Sequence, residues 1–74
     1  MFALNEVSTG SSCMIVWMIG KLGSWVKEMM QVDLDDTLKV IRNYGEHGGM
    51  IVEANGNRYA LSADAAFAIK VYLQ

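Results

Sequence analysis

Proline is absent from the 74 residues, and cysteine and histidine occur once each. Without proline there is no proline-rich linker, and no repeat or low-complexity tract divides the chain. One domain spanning residues 1–74 is expected. A single cysteine cannot close an internal disulfide, the usual staple of a small secreted domain. One cysteine and one histidine also fall short of the ligand set of a structural zinc site. Positive charge is not in excess: six basic against eight acidic side chains give a net charge of −2. That excludes the broad phosphate grip of a nucleic-acid binder. No Lys or Arg precedes Lys21, so the charged start of a secretory signal is missing. The most apolar run, residues 13–20, stops at Lys21, well short of the ~20 residues of a membrane-spanning helix. With a free cysteine, the expected location is the cytoplasm, or the inner face of the membrane as a peripheral protein. No cofactor is expected.

What the chain has is apolar surface. Apolar residues make up 53% and charged residues 19%, too apolar for a disordered chain. A domain of this size buries only about 60% of the surface its unfolded chain exposes. Part of the apolar surplus is therefore expected outside, as a sticky face.

Glycines punctuate the sequence in place of prolines. Residues 12–19 are apolar and partly β-branched between Gly10 and Gly20, which predicts a strand. Cys13, Ile15, Trp17 and Ile19 fall on one face and Met14, Val16 and Met18 on the other, so cover is expected on both sides. Leu22, Trp25, Val26, Met29 and Met30 then come at i, i+3, i+4, i+7 and i+8, one stripe of an amphipathic helix. Gly23 weakens that helix only slightly. An acidic turn with Asp33, Asp35 and Asp36 ends it. Thr37–Asn43 alternates as a half-buried strand, with Leu38 and Val40 inward.

Asn55-Gly56 lies between two β-like runs and predicts a two-residue type I′ hairpin. That loop length sets the register: Ala54 opposite Asn57, Glu53 opposite Arg58, Val52 opposite Tyr59, Ile51 opposite Ala60 and Met50 opposite Leu61. Met50, Val52, Ala54, Tyr59 and Leu61 then share the core face, and Glu53–Arg58, Ile51 and Ala60 the outer one. Ser62 caps one short helical turn, and residues 68–74 alternate as the closing strand. The expected fold is mainly β with one α-helix, a small SH3-like β-barrel plugged at one end by the helix.

The stretch LKVIRNYGEHGGMIVEANGNRYALSADAAFAIKV, residues 38–71, resembles the ferrous iron transport protein A (FeoA) family. The shared pieces are Val40 and Arg42 of a "VxVxR" strand, Gly48-Gly49, a "G-x-R-x-A-L" run at residues 56–61, Ala65-Ala66, and Ile69-Lys70-Val71. Leu4, Val7 and Gly10 match the family's opening more loosely. The family's glycines and proline at the helix exit are replaced here by Met30-Gln31-Val32-Asp33-Leu34-Asp35. The resemblance implies an SH3-like fold, a cytoplasmic location and a non-catalytic accessory role. The implied partner is a FeoB-type membrane ferrous-iron transporter.

Chemistry-bearing residues are few. Glu46 and His47 suit ferrous iron as ligand types, but adjacent residues rarely converge on one metal and no third ligand is evident. Asp33, Asp35 and Asp36 lack the glycine and distal glutamate of a calcium loop. Cys13 lies in an apolar strand and reads as a buried structural thiol. Gly45, Gly48 and Gly49 have no P-loop context and read as a tight turn. No nucleophile or acid–base pair suggests an enzyme. The helix stripe stands apart. A stripe of five residues can simply cover the barrel, yet the six methionines of the chain with Trp17 and Trp25 are the composition of an adaptable binding surface. The two readings are compatible if part of Trp25, Met29 or Met30 stays exposed. Trp25, Met29, Met30 and Ile51 are the expected partner-binding residues. The function expected is docking onto the transporter's cytoplasmic part. The alternative is a metal- or ligand-sensing domain similar to the SH3-like modules attached to iron-dependent repressors; no attached DNA-binding domain is expected here, which argues against it.

Overall fold

Two positive φ angles, 54° at Asn55 and 79° at Gly56, turn the chain back on itself between two five-residue strands. The computed structural model describes residues 1–74. The hairpin strands are β4 (Met50–Ala54) and β5 (Asn57–Leu61). Their register runs from Met50 opposite Leu61 to Ala54 opposite Asn57, pair for pair as expected. Arg58 donates to Glu53 at 3.4 Å on the outer face.

Four further strands extend this pair. They are β1 (Phe2–Ala3), β2 (Ser12–Met18), β3 (Thr37–Asn43) and β6 (Ile69–Leu73). The order across the sheet is β1-β6-β2-β3-β4-β5, all antiparallel. Helix α1 (Gly20–Met30) joins β2 to β3, and α2 (Ala63–Phe67) joins β5 to β6. The Ser62 hydroxyl accepts from the Ala65 N–H at 3.2 Å, capping α2 as expected.

The expected barrel closure is not found. The sheet ends, β1 and β5, are not hydrogen-bonded to each other. The physical reason is local. β1 is only two residues long and runs straight into a 3-10 turn at Leu4–Glu6. That turn packs against α2, so β1 offers no longer ladder for β5 to join. The domain therefore has two α-helices rather than one, around a mainly β core.

Seventeen buried residues form one core cluster, and every strand from β2 to β6 contributes to it. Cys13 and Ile15 come from β2, Leu38 and Val40 from β3, Met50 and Val52 from β4, Leu61 from β5, and Ile69 and Val71 from β6. Leu4 and Val7 complete it from a segment whose strand and 3-10 turn no sequence pattern signals.

Candidate interaction surface

The corner where β2 meets α1 departs most from expectation. The β2–β6 register shifts between Ile15 and Trp17. This bulge at Val16 gives β2 one extra residue, which reverses the facing of the residues beyond it. Met18 then packs against the core, while Trp17 turns outward and is 59% exposed. The expectation of cover on both sides of this strand is thereby corrected. Met14 and Val16 are half-buried, and Trp17 and Ile19 lie exposed.

Gly20, at φ 64°, starts the helix just after the strand. Three residues on, Gly23 is buried against the end of β2. A Cβ at Gly23 would lie 2.7 Å from the Met18 carbonyl carbon, closer than side chains tolerate. Gly23 is thus required by the close approach of helix and strand, rather than being a mild helix weakness. This contact rotates the helix relative to the stripe read from the sequence. Its buried residues are Gly23, Val26 and Met30. Leu22 and Trp25 are turned out, and Trp25 is 54% exposed.

The helix exit holds the rest of the corner in place. Gln31 takes φ 55° and Asp35 φ 73°, the left-handed turns that glycines would take more easily. The backbone then ties to β2, with the Asp35 N–H on the Ile15 carbonyl at 2.7 Å and the Ile15 N–H on the Asp36 carbonyl at 2.9 Å. Leu34 is thereby set beside Trp17, and the two share a groove with Met18, Ser24, Lys27 and Asp33. A second groove is lined by Met18, Gly20, Lys21, Ser24, Trp25 and Glu28. Met18 and Ser24 border both, so the two form one continuous face with a tryptophan on each side.

The expected partner-binding residues are distributed unevenly around this face. Trp25 is on it. Met29 is half-buried and packs against the core from its edge. Met30 is fully buried and is a correction: it holds the helix down and cannot touch a partner. Ile51 is half-buried opposite Ala60 on the hairpin and lines neither groove. Trp17 and Leu34, exposed along the groove, are not among the residues expected from the sequence. The bulge that exposes Trp17 depends on pairing with β6, which no local pattern signals.

The remaining chemistry-bearing residues are scattered. Cys13 is fully buried, and desolvation pushes its thiol from 9.0 up to about 11, so no thiolate is available near neutral pH. Glu46 and His47 are exposed on the loop between β3 and β4. Glu46 borders a shallow cleft with Asn5, Glu6 and Phe67 rather than with His47. No three His, Cys, Asp or Glu side chains converge on one point. The Asp33 carboxylate bonds the Leu34 N–H at 2.8 Å and pairs with Lys27 at 3.3 Å. These two contacts hold it below the usual carboxylate range, the backbone bond first. The Asp36 carboxylate accepts from the Asp33 N–H at 2.8 Å, so the acidic turn is braced by its own bonds. The glycine loop is a tight turn: the Gly45 N–H donates to the Asn43 side chain at 2.9 Å and the Gly48 N–H to the Gly45 carbonyl at 3.1 Å. No helix is long and apolar enough to cross a membrane.

No protein-family model and no curated protein matches the chain. Solved structures do. An iron uptake regulatory protein, FeoA, superposes with a TM-score of 0.86 over 99% of this chain and 97% of that one, at 20% identity. The chain has the FeoA fold. A manganese-dependent transcriptional repressor matches with a TM-score of 0.84 and 19% identity, over 97% of this chain but only 40% of the repressor. The resemblance read from residues 38–71 thus holds for the fold of nearly the whole chain, the divergent helix exit included.

Proposed function

We propose that this chain is a non-enzymatic docking module of ferrous-iron uptake, which binds the cytoplasmic part of a FeoB-type transporter through the β2–α1 corner. The observation that carries this reading is the pair of tryptophans, Trp17 and Trp25, each more than half exposed on one continuous face. Exposing two such side chains forgoes burial worth roughly 25 cal/mol per Å². Tryptophan is also enriched among residues that dominate binding energy at protein interfaces. Met18, which lines both grooves, can re-pack around an incoming side chain. The iron-uptake context and the transporter as partner come from the family likeness of residues 38–71 and from the shared fold. A cytoplasmic location follows from that partner.

The test is calorimetry between the purified chain and the transporter's cytoplasmic domain. Binding is expected in the wild type and is expected to weaken about 30-fold or more in Trp17→Ala, the loss typical of a hot spot. No binding by the wild type overturns the reading.

One observation favours a second reading, a metal- or ligand-sensing regulatory module: the fold occurs as a part of the manganese-dependent repressor. Titration with ferrous iron under anaerobic conditions separates the two. The docking reading expects no site tighter than roughly micromolar. A stoichiometric site abolished in His47→Ala favours the sensor.

A further inference from the structure

The outer face of α1 is complementary to itself. Lys21, Ser24, Trp25 and Glu28 fall at i, i+3, i+4 and i+7, on one side of the helix, and all four are exposed. They line one groove. Lys21 and Glu28 sit at its two ends, about 10 Å apart along the axis. That separation prevents them from pairing with each other, and neither has an ion partner within the chain. Lys27, by contrast, is already engaged by Asp33.

Opposite charges at the two ends of a helical face suit an antiparallel copy of the same face. In a two-fold contact, residue i meets residue j of the partner and j meets i. Placing Lys21 against the partner's Glu28 puts the axis between Ser24 and Trp25. The same axis then sets the bulky Trp25 of each copy against the small Ser24 of the other, beside Gly20 and Met18 in the groove. Charge and size are matched by one operation, without adjustment of register. We infer that a second copy of this chain occupies this groove, with α1 packed antiparallel on α1. This inference stands apart from the docking reading, since it requires only the purified chain. If both hold, self-association and transporter docking compete for Trp25.

The contact is small. An 11-residue helix is roughly 16 Å long, so association is weak, with a dissociation constant between roughly 10 µM and 1 mM. Sedimentation equilibrium over that range reads it directly. The wild type should rise from 8.2 kDa toward twice that mass. Lys21→Glu and Glu28→Lys each place like charges at both ends of the contact. Each alone should weaken association by about tenfold or more at low salt. The double variant restores both pairs and should dimerise as the wild type does. The two single variants, mixed, should associate with each other more tightly than either does with itself. None of the three variants should fall below the wild-type urea midpoint, because both side chains are exposed and unpaired and both reversals suit the dipole of α1 better. A wild type that stays at 8.2 kDa at about 1 mM overturns the inference. So does a dimer indifferent to the single charge reversals, or a double variant that fails to recover.

Discussion

The β4–β5 hairpin and the β2–α1 corner are both built from short apolar segments joined by glycine-bearing turns, yet they obey different rules. In the hairpin every feature is local. Asn55 and Gly56 supply the two positive φ angles, the two-residue loop sets the register, and the five pairs form accordingly. In the corner the decisive features are set by distant partners. The bulge at Val16 arises where β2 pairs with β6, more than fifty residues along the chain. The helix rotation comes from Gly23 pressed on Met18. Local rules thus account for the half of the molecule that is structurally closed. Tertiary contacts shape the half that leaves two tryptophans in solvent.

Met30 offers the largest break in that comparison. The stripe read from the sequence leaves Met30 free for a partner, whereas the packed corner makes it core. Met30→Ala should cost ~2–5 kcal/mol in urea unfolding, as large-to-small changes at buried sites do. A cost near zero would mean that the helix is rotated as its sequence alone suggests.

Gly23 comes next. Gly23→Val should destabilise by ~1–3 kcal/mol, the usual effect of overpacking, because the added Cβ meets backbone that has no room to yield. A silent substitution would remove the reason for the exposed Trp25. In the hairpin, nothing lies within 4 Å of a Cβ at Gly56, so the penalty there is conformational only. Gly56→Val should cost ~1–2 kcal/mol through its positive φ. In a domain this small that lowers the thermal midpoint by ~4–8 °C per kcal/mol. Equal costs for crowding at Gly23 and conformation at Gly56 would blur the contrast between the two regions.

The smallest effect lies at the helix exit. Gln31→Gly relieves a left-handed side-chain residue but loosens the unfolded chain. A net gain of about 0.5 kcal/mol is expected, read as a slightly raised urea midpoint. A loss there would show that the Gln31 side chain contributes more than its φ angle costs.

These contrasts mark what was legible beforehand. The hairpin, the β3 alternation with Leu38 and Val40 inward, the Ser62 cap and the acidic turn were readable, because each is fixed by residues within a few positions of one another. The two-residue β1 and the 3-10 turn were not, since they carry too few residues for a period, and β1 exists only through its pairing with β6. A barrel was expected from short strands, the tight hairpin and one helical turn before the last strand. The sheet is not closed between β1 and β5, because the two-residue β1 ends at a 3-10 turn that its own sequence does not signal. Within the candidate surface, the i, i+3, i+4 spacing puts Trp25 on the helix stripe, and the fold leaves it exposed. Met30 was misplaced, and Trp17, Lys21, Glu28 and Leu34 were passed over, because helix rotation and strand facing at this corner depend on Gly23 and the bulge.

The outer face of the β2–α1 corner is proposed to serve association rather than folding. Trp25→Ala, measured for stability and for binding in the same preparation, tests it most directly. The urea midpoint should shift by less than about 0.5 kcal/mol, as for an exposed side chain. Affinity for the transporter's cytoplasmic domain should fall by about 2 kcal/mol or more. A stability loss of ~2–5 kcal/mol with unchanged binding by the folded fraction would contradict the account, and would make Trp25 part of the core.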